Sequence, residues 1–339
     1  MNAQSEILPA VESLVHEIVN HPDDPLYTVI DRGNGIQQVV PAHLTRAITD
    51  MVCYYLNPLL NQFPIHEFHP YINVFIKNVL NGNLMEYLQL HAALNKQDDL
   101  YRVGRDYEIM LTIMTQLSDC VSRIRQEVQS TEFKFLVAEA NRASQKNHKS
   151  LMEYIDFLHK HHKQLLVVRV DLSYKQGNVI TCYADIEAKY REAKQDFEHL
   201  WNNAKKNSLF KHKVGHIWTL EYGPVKGFHF HLFVFFDGDK ETDDVYLSGM
   251  ICHYWVHCIT QHRGGCWDCN KEKANYLYCA LGMIHHTDLE KRHYLKIAAA
   301  YLIKVDHYSR MLTPDHSKNF GKGKMLPPGT GDIGRPRAA

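Results

Sequence analysis

The run Gly227-Phe228-His229-Phe230-His231-Leu232-Phe233-Val234-Phe235-Phe236 sets two imidazoles two residues apart in an otherwise apolar stretch. Unbroken aromatic and branched residues, bounded by Gly227 and Asp237-Gly238, predict a buried β-strand. Side chains alternate faces along a strand, so His229 and His231 point the same way. A single histidine there reads as a hydrogen-bonded core residue. Two on one face fit a divalent metal, for which neutral imidazole is a common ligand. Residues 214–222 (VGHIWTLEY) predict a second strand, and 223–227 (GPVKG) a turn. The resulting hairpin would lay Glu221 near the histidines across the ladder. By position alone, Glu221 also suits a solvated strand end. Two imidazoles and a carboxylate leave coordination positions open for substrate oxygens, as in metals that act as Lewis acids or orient phosphates.

A second element carries a nucleophile. Residues 297–304 (IAAAYLIK) are helix-forming, and Tyr301 and Lys304 are three apart on one helix face. Tyrosine is a poor nucleophile at its ordinary pKa of about 10, and a nearby ammonium or metal would make it useful. Tyr-x-x-Lys alone occurs by chance in many chains; its place behind the His-x-His strand gives it meaning. Tyr294 and Tyr308 stand seven residues to either side, and all three share a stripe if the helix is unbroken. Such a stripe also suits packing, and only Tyr301 has a lysine three residues on, so a single nucleophile is expected.

These pieces resemble the HUH endonuclease superfamily, in which histidine–hydrophobic–histidine binds a metal and a helical tyrosine attacks DNA. From about Leu165 to Gly323 the likeness is to replication initiators related to the filamentous-phage gene II protein, found in inoviruses and bacterial prophages. It rests on the strand 166–174 (LVVRVDLSY), on Glu221-Tyr222-Gly223 before His229-Phe230-His231, on 301–306 (YLIKVD) and on 319–323 (NFGKG). The first half of the chain takes no part in it. The resemblance implies metal-dependent nicking and joining of single-stranded DNA through a 5′-phosphotyrosyl link, with the free 3′-hydroxyl priming rolling-circle replication of a phage, prophage or plasmid. It implies Tyr301 as nucleophile, His229, His231 and Glu221 as ligands of Mg²⁺ or Mn²⁺, and Lys304 as a stabiliser of phosphate charge. Arg169, Asp171 and Lys322 would contact DNA or support the site, although an Asp at a strand end also caps turns. The partners implied are single-stranded DNA at a replication origin and host replication proteins. A transposase of the same superfamily, or a silent DNA-binding regulator with the same fold, are the alternatives.

Composition sets outer limits. The 339 residues suffice for two domains. No apolar run approaches the ~20 residues of a membrane span. The start, MNAQSEILPAVESL, lacks the basic and apolar regions of a signal peptide, and eight cysteines do not suggest a disulfide framework. A cytoplasmic location in a bacterial host is the expectation. Lysine plus arginine equals aspartate plus glutamate at 38 each, a mild argument against nucleic acid. Basic residues nevertheless cluster at Lys205, Lys206, Lys211 and Lys213 and at Lys318, Lys322, Lys324, Arg335 and Arg337.

Apolar spacing predicts helices over 42–60, 64–80, 84–94 and 104–129, with a hairpin at 27–30 and 36–40 around Gly33-Asn34-Gly35. The polar stretch 141–147 suits a bend or linker. The expected organisation is a mainly helical region at 1–162, an endonuclease domain at 163–312 and a basic, flexible tail at 313–339. The fold class is α+β: from Leu165, strands and helices follow a βαββαβ order, with helices at 185–203 and 243–260. That is the order of ferredoxin-like folds, with an antiparallel sheet, helices on one face and the other face open. Cys266-Trp267-Asp268-Cys269 lacks a second well-spaced pair and reads as packing rather than zinc. Gly321-Lys322-Gly323 lacks the rest of a P-loop.

Overall fold

The computed structural model describes residues 7–33, 37–94, 107–175, 183–223, 226–313 and 318–325; the side chains of 90–94, 183–184 and 304–306 lie outside the description. The chain is mixed helix and strand, with a helical N-terminal region and an antiparallel sheet. It forms two compact units. One runs to Ala143 and includes His307–Arg310; the other comprises Ser144–Asp306 and the segment from Met311. Among the described residues no helix is long and apolar enough to cross a membrane.

The first unit contains α1 (Ile7–Asn20), the hairpin β1 (Tyr27–Asp31) and β2 (Gln37–Pro41), α2 (His43–Asp50), α3 (Asn57–Gln62), β3 (His66–Phe68), α4 (Pro70–Leu80), α5 (Leu84–Leu94) and α6 (Tyr107–Gln129). A π-helical turn joins α2 to α3. Val11, Val15 and Ile18 of α1 meet Ile72, Phe75 and Val79 of α4 and Ile113, Leu117, Val121 and Ile124 of α6 in one buried cluster, the three- and four-residue spacing of amphipathic helices. Arg125 closes the end of α1 by donating to the carbonyls of Ile18 and His21. The helix expected over 64–80 is shorter, because Pro70 opens it and His66–Phe68 is extended. Asn34 and Gly35 of the expected turn lie outside the described residues.

The stretch 141–147 links the units as helix: α7 runs from Thr131 to His161, and the division between the units falls at Ala143–Ser144 within it. Its polar residues are ones that helices tolerate, without proline or glycine to break the run.

The second unit continues with β4 (Gln164–Tyr174), α8 (Tyr183–Ala204), β5 (Lys213–Gly223), β6 (Gly227–Asp237), α9 (Asp244–Tyr254), β7 (Gly264–Asp268), β8 (Gly282–His285), α10 (Leu289–Tyr308) and β10 (Phe320–Lys322), while the last two residues of α10 and the first two of β9 (Ser309–Met311), which pairs with β3, belong to the first unit. The sheet order is β10-β5-β6-β4-β7, and β8 also pairs with β4. Every pairing is antiparallel. The start of the expected tail is therefore an edge strand, with Gly321 opposite Trp218. A Cβ on Gly321 would come within 2.5 Å of that indole, so glycine is required for β10 to approach.

Helices cover both faces, not one. Phe197 of α8 stacks on Phe230 at 4.0 Å, and Tyr190 and Trp255 add edge contacts on that side. On the other side Leu151, Tyr154, Ile155 and Leu158 of α7 and Leu295, Ala299, Leu302 and Ile303 of α10 pack over Leu165, Val167, Ile217, Phe233 and Phe235. The cause is in β6 itself, where both parities are apolar from Leu232 to Phe236 and both faces must be buried. Cys252 and Cys266 form a disulfide, at a Cα separation of 5.4 Å, that joins α9 to β7. The cysteine content alone had suggested no such bond, because the two positions meet only when β7 pairs with β4.

Candidate metal centre and its surroundings

On the face covered by α7 and α10, the apolar packing stops at Ile217, Phe233 and Val167. One further step along each strand, the residues become Thr219 and Glu221, His231 and His229, Arg169 and Asp171. The register sets Glu221 opposite His229, and a continuous cross-strand row runs Thr219, His231, Asp171, Trp267. Residues directly opposite in a ladder share a face, so four strands contribute to one patch.

Glu221, His229 and His231 bring one ligand-capable atom each within 4.8 Å of one another. Glu221 Oε2 lies 3.3 Å from His231 Nε2 and 3.7 Å from His229 Nε2. The outer nitrogens are engaged elsewhere. His229 Nδ1 is 3.0 Å from the Gly227 carbonyl, and His231 Nδ1 is 2.7 Å from Asp171 Oδ1. The His231–Asp171 contact is short but poorly aligned as a hydrogen bond, and is an ion-pair contact. Both rings thus turn the same nitrogen inward, the orientation that outer partners impose on metal-bound histidines. The donor set, two imidazole nitrogens and a carboxylate oxygen, fits a divalent cation. Thr219 Oγ1, buried beside His231 with no hydrogen-bond partner, is a further polar atom for such a centre to satisfy.

The site draws positive charge, which without an ion His231 supplies as a proton that a metal would displace. Burial alone would raise the Glu221 carboxyl, but hydrogen bonds from His229 and His231 outweigh it and hold the group well below the usual carboxylate range. Burial likewise works against the charged form of His231, yet Asp171 and Glu221 lift its pKa to about 9. Asp171 is pulled down, burial being overcome by His231 and then Arg169. The patch therefore carries ionised carboxylates in a desolvated setting, where a cation is strongly attracted.

The remaining candidates are distributed as follows. Arg169 is at the patch, its Nε 3.4 Å from Asp171 Oδ1 and its guanidinium 5.5 Å above Phe233. Lys322 shares the face but lies opposite Ile217, about 13 Å along β5 from Glu221 at the usual rise per residue, and its ammonium caps Tyr154 at 4.9 Å. Tyr301 sits on α10 with 48% exposure, on the side away from Leu295, Ala299 and Leu302, which pack on the sheet. Because α10 is unbroken, Tyr294, Tyr301 and Tyr308 do share a stripe, and Tyr294 donates to Glu290 at 2.5 Å. Lys304 is in the same helix, but its side chain lies outside the described residues.

Two groups escaped the sequence reading. Trp267, 58% exposed, ends the cross-strand row beside Asp171. Tyr276, hydrogen-bonded to Cys269 and electrostatically coupled to Arg169, heads the exposed run Tyr276-Leu277-Tyr278. A buried network braces this loop. Asn270 accepts from the Arg169 N–H and donates to the Val167 carbonyl and to Asp244, while Lys273 donates to both Asp244 oxygens at 2.8 Å. Only the alternation Thr219-x-Glu221 and the tyrosine-rich composition of 276–278 hinted at these residues in sequence.

A family model for the YagK/YfjJ C-terminal domain matches residues 129–323. That span covers more than half of the chain and all of the centre just described, and the chain belongs to this family. Comparison with curated proteins and with solved structures finds no match.

Proposed function

We propose that this chain is a metal-dependent nuclease of the HUH type that nicks and rejoins single-stranded DNA to initiate rolling-circle replication of a phage, prophage or plasmid. The observation that carries the reading is the convergence of Glu221, His229 and His231 on one sheet face, with Asp171 turning His231 inward. The sheet order β5-β6-β4-β7, with α8 and α9 as crossovers, supports a ferredoxin-like core. A Mg²⁺ or Mn²⁺ ion held there would neutralise and orient the scissile phosphate. The exposed rings of Trp267, Tyr276 and Tyr278 support a single-stranded substrate, since unstacked bases need aromatic platforms. Arg169, beside that platform, faces the phosphate charge.

In the reaction a tyrosine hydroxyl attacks phosphorus, a phosphorus–tyrosine oxygen bond forms and the bond to the 3′-oxygen breaks. The net proton transfer is from the phenol to the departing 3′-oxygen, leaving a 5′-phosphotyrosyl link. Tyr301 is the nucleophile that the resemblance of its sequence motif to HUH endonucleases favours. Tyr276 is the second candidate, favoured by its exposed place near Arg169, although burial and Cys269 raise the pKa of its hydroxyl.

The test is incubation of the full chain with labelled single-stranded DNA of the parent replicon and Mn²⁺, followed by denaturing electrophoresis. A covalent adduct that EDTA abolishes is expected, and peptide mapping would identify its tyrosine. Adduct formation undiminished in EDTA would overturn the metal reading. No adduct across origin-spanning sequences would instead favour a silent DNA-binding regulator. Joining of element ends without primed synthesis would favour a transposase.

A further inference from the structure

Within the first unit, Glu12, His69 and His307 also bring three ligand-capable atoms within 4.8 Å of one another. Glu12 projects from α1, His69 immediately precedes the Pro70 that opens α4, and His307 lies in the last turn of α10. The backbone fixes their meeting. The His69 N–H donates to the Tyr308 carbonyl at 2.8 Å, and the His69 carbonyl accepts from Ile72 and Asn73. Pairing of β3 with β9 flanks the same point.

The His69 ring is 5% exposed, and neither of its nitrogens has an aligned hydrogen-bond partner. Its Nδ1 stands 3.4 Å from Glu12 Oε1, and its ring centroid is 5.2 Å from that of His307. A buried imidazole with neither nitrogen hydrogen-bonded, facing a carboxylate and a second imidazole, is a polar set that a cation would complete.

We propose that Glu12, His69 and His307 form a second metal site, suited to Zn²⁺, that ties the end of α10 to α1 and to the start of α4. Two imidazoles and one carboxylate are a recognised zinc set with a fourth position open. His16, one helical turn beyond Glu12 and electrostatically coupled to His69, is a further imidazole beside the site. This inference does not rest on the nuclease reading and survives its failure.

The test uses Zn²⁺ titration of the full chain against a chromophoric chelator, with circular dichroism as the folding control. Wild-type protein should bind two equivalents, and His229→Gln/His231→Gln should retain one. Adding Glu12→Gln or His307→Gln to that variant should remove the last equivalent or weaken it at least tenfold. Where those variants fail to fold, X-ray absorption of Zn²⁺-loaded His229→Gln/His231→Gln gives a direct answer, with nitrogen and oxygen ligands and imidazole scattering expected. A folded His229→Gln/His231→Gln protein that binds no Zn²⁺, or retained binding in folded Glu12→Gln and His307→Gln backgrounds, would overturn the proposal.

Discussion

Asp171→Asn tests whether the metal centre depends on the orientation of His231. The two side chains meet at 2.7 Å, with only 17% and 14% of their surfaces exposed. At an effective dielectric near 20, a carboxylate and a protonated imidazole at that distance attract by about 6 kcal/mol. With a metal bound, however, His231 is neutral, and the contact is bounded above by an aligned hydrogen bond to a charged group, about 1.5–3 kcal/mol. At about 1.4 kcal/mol per decade this corresponds to roughly a 10- to 100-fold loss of metal affinity, the usual range for removing an outer partner of a metal-bound histidine. Asparagine keeps the shape and one acceptor, so the lower end is expected. The substitution also deprives Arg169 of its partner at 3.4 Å. A fully buried pair broken this way costs about 3–5 kcal/mol, and partial exposure here should reduce that to about 1–2. Mn²⁺ titration, read by the loss of the electron paramagnetic resonance signal of the free ion, measures affinity, and urea unfolding measures stability. Unchanged Mn²⁺ affinity in folded Asp171→Asn would refute the orienting role.

Tyr301→Phe and Tyr276→Phe each remove only a hydroxyl; one of the two should abolish the covalent DNA adduct while Tyr294→Phe leaves it intact, and an adduct that survives in both would exclude both residues as nucleophile. Acid should weaken the second unit through His159, which is buried with its pKa lowered to about 4, by burial first and then by Arg292. The unfolded chain takes up a proton near pH 6.5 that the folded one refuses, so stability is intact above pH 6.5 and falls by up to about 3 kcal/mol as pH drops towards 4. His159→Leu should flatten the urea midpoint across that window, and an unchanged slope would refute the assignment. Gly321→Ala should push β10 away from Trp218 at a cost of about 1–3 kcal/mol, seen as faster amide exchange in 320–322; unchanged exchange there would show that the indole can yield.

The hairpin of β5 and β6 was legible because it is local: Gly223 and Gly227, four apart in sequence, pair, and the same register sets Glu221 against His229. The strand character of β4 and the helicity of the first unit were legible from periodicity. Asp171 was legible as a supporting residue but its partner His231 was not, since that depends on β4 pairing with β6 across some sixty residues of intervening chain. The same holds for Trp267, whose neighbour Asp171 is chosen by the pairing of β7 with β4. Cover on both faces of the sheet was foreshadowed by the apolar residues at both parities of β6, a signal weaker than the histidines that interrupt it. The Cys252–Cys266 bond was hidden for the reason that hides any disulfide in a sparse set of cysteines, namely that spacing does not reveal which helix lies over which strand.

The length of chain between the paired Gly223 and Gly227 acts as a parity lock on the centre. Inserting one residue on the strand side of that segment would shift Glu221 by one position and send its carboxylate to the aromatic face packed under Phe197, while the histidines stayed where they are. Inserting two would restore the face but displace the carboxylate by about 7 Å along the strand. Length changes here are thus tolerated by the hydrophobic pattern in even steps yet rejected by the metal geometry in every step. Divergence within this family should accordingly leave the length of this loop fixed, even where its residues change freely.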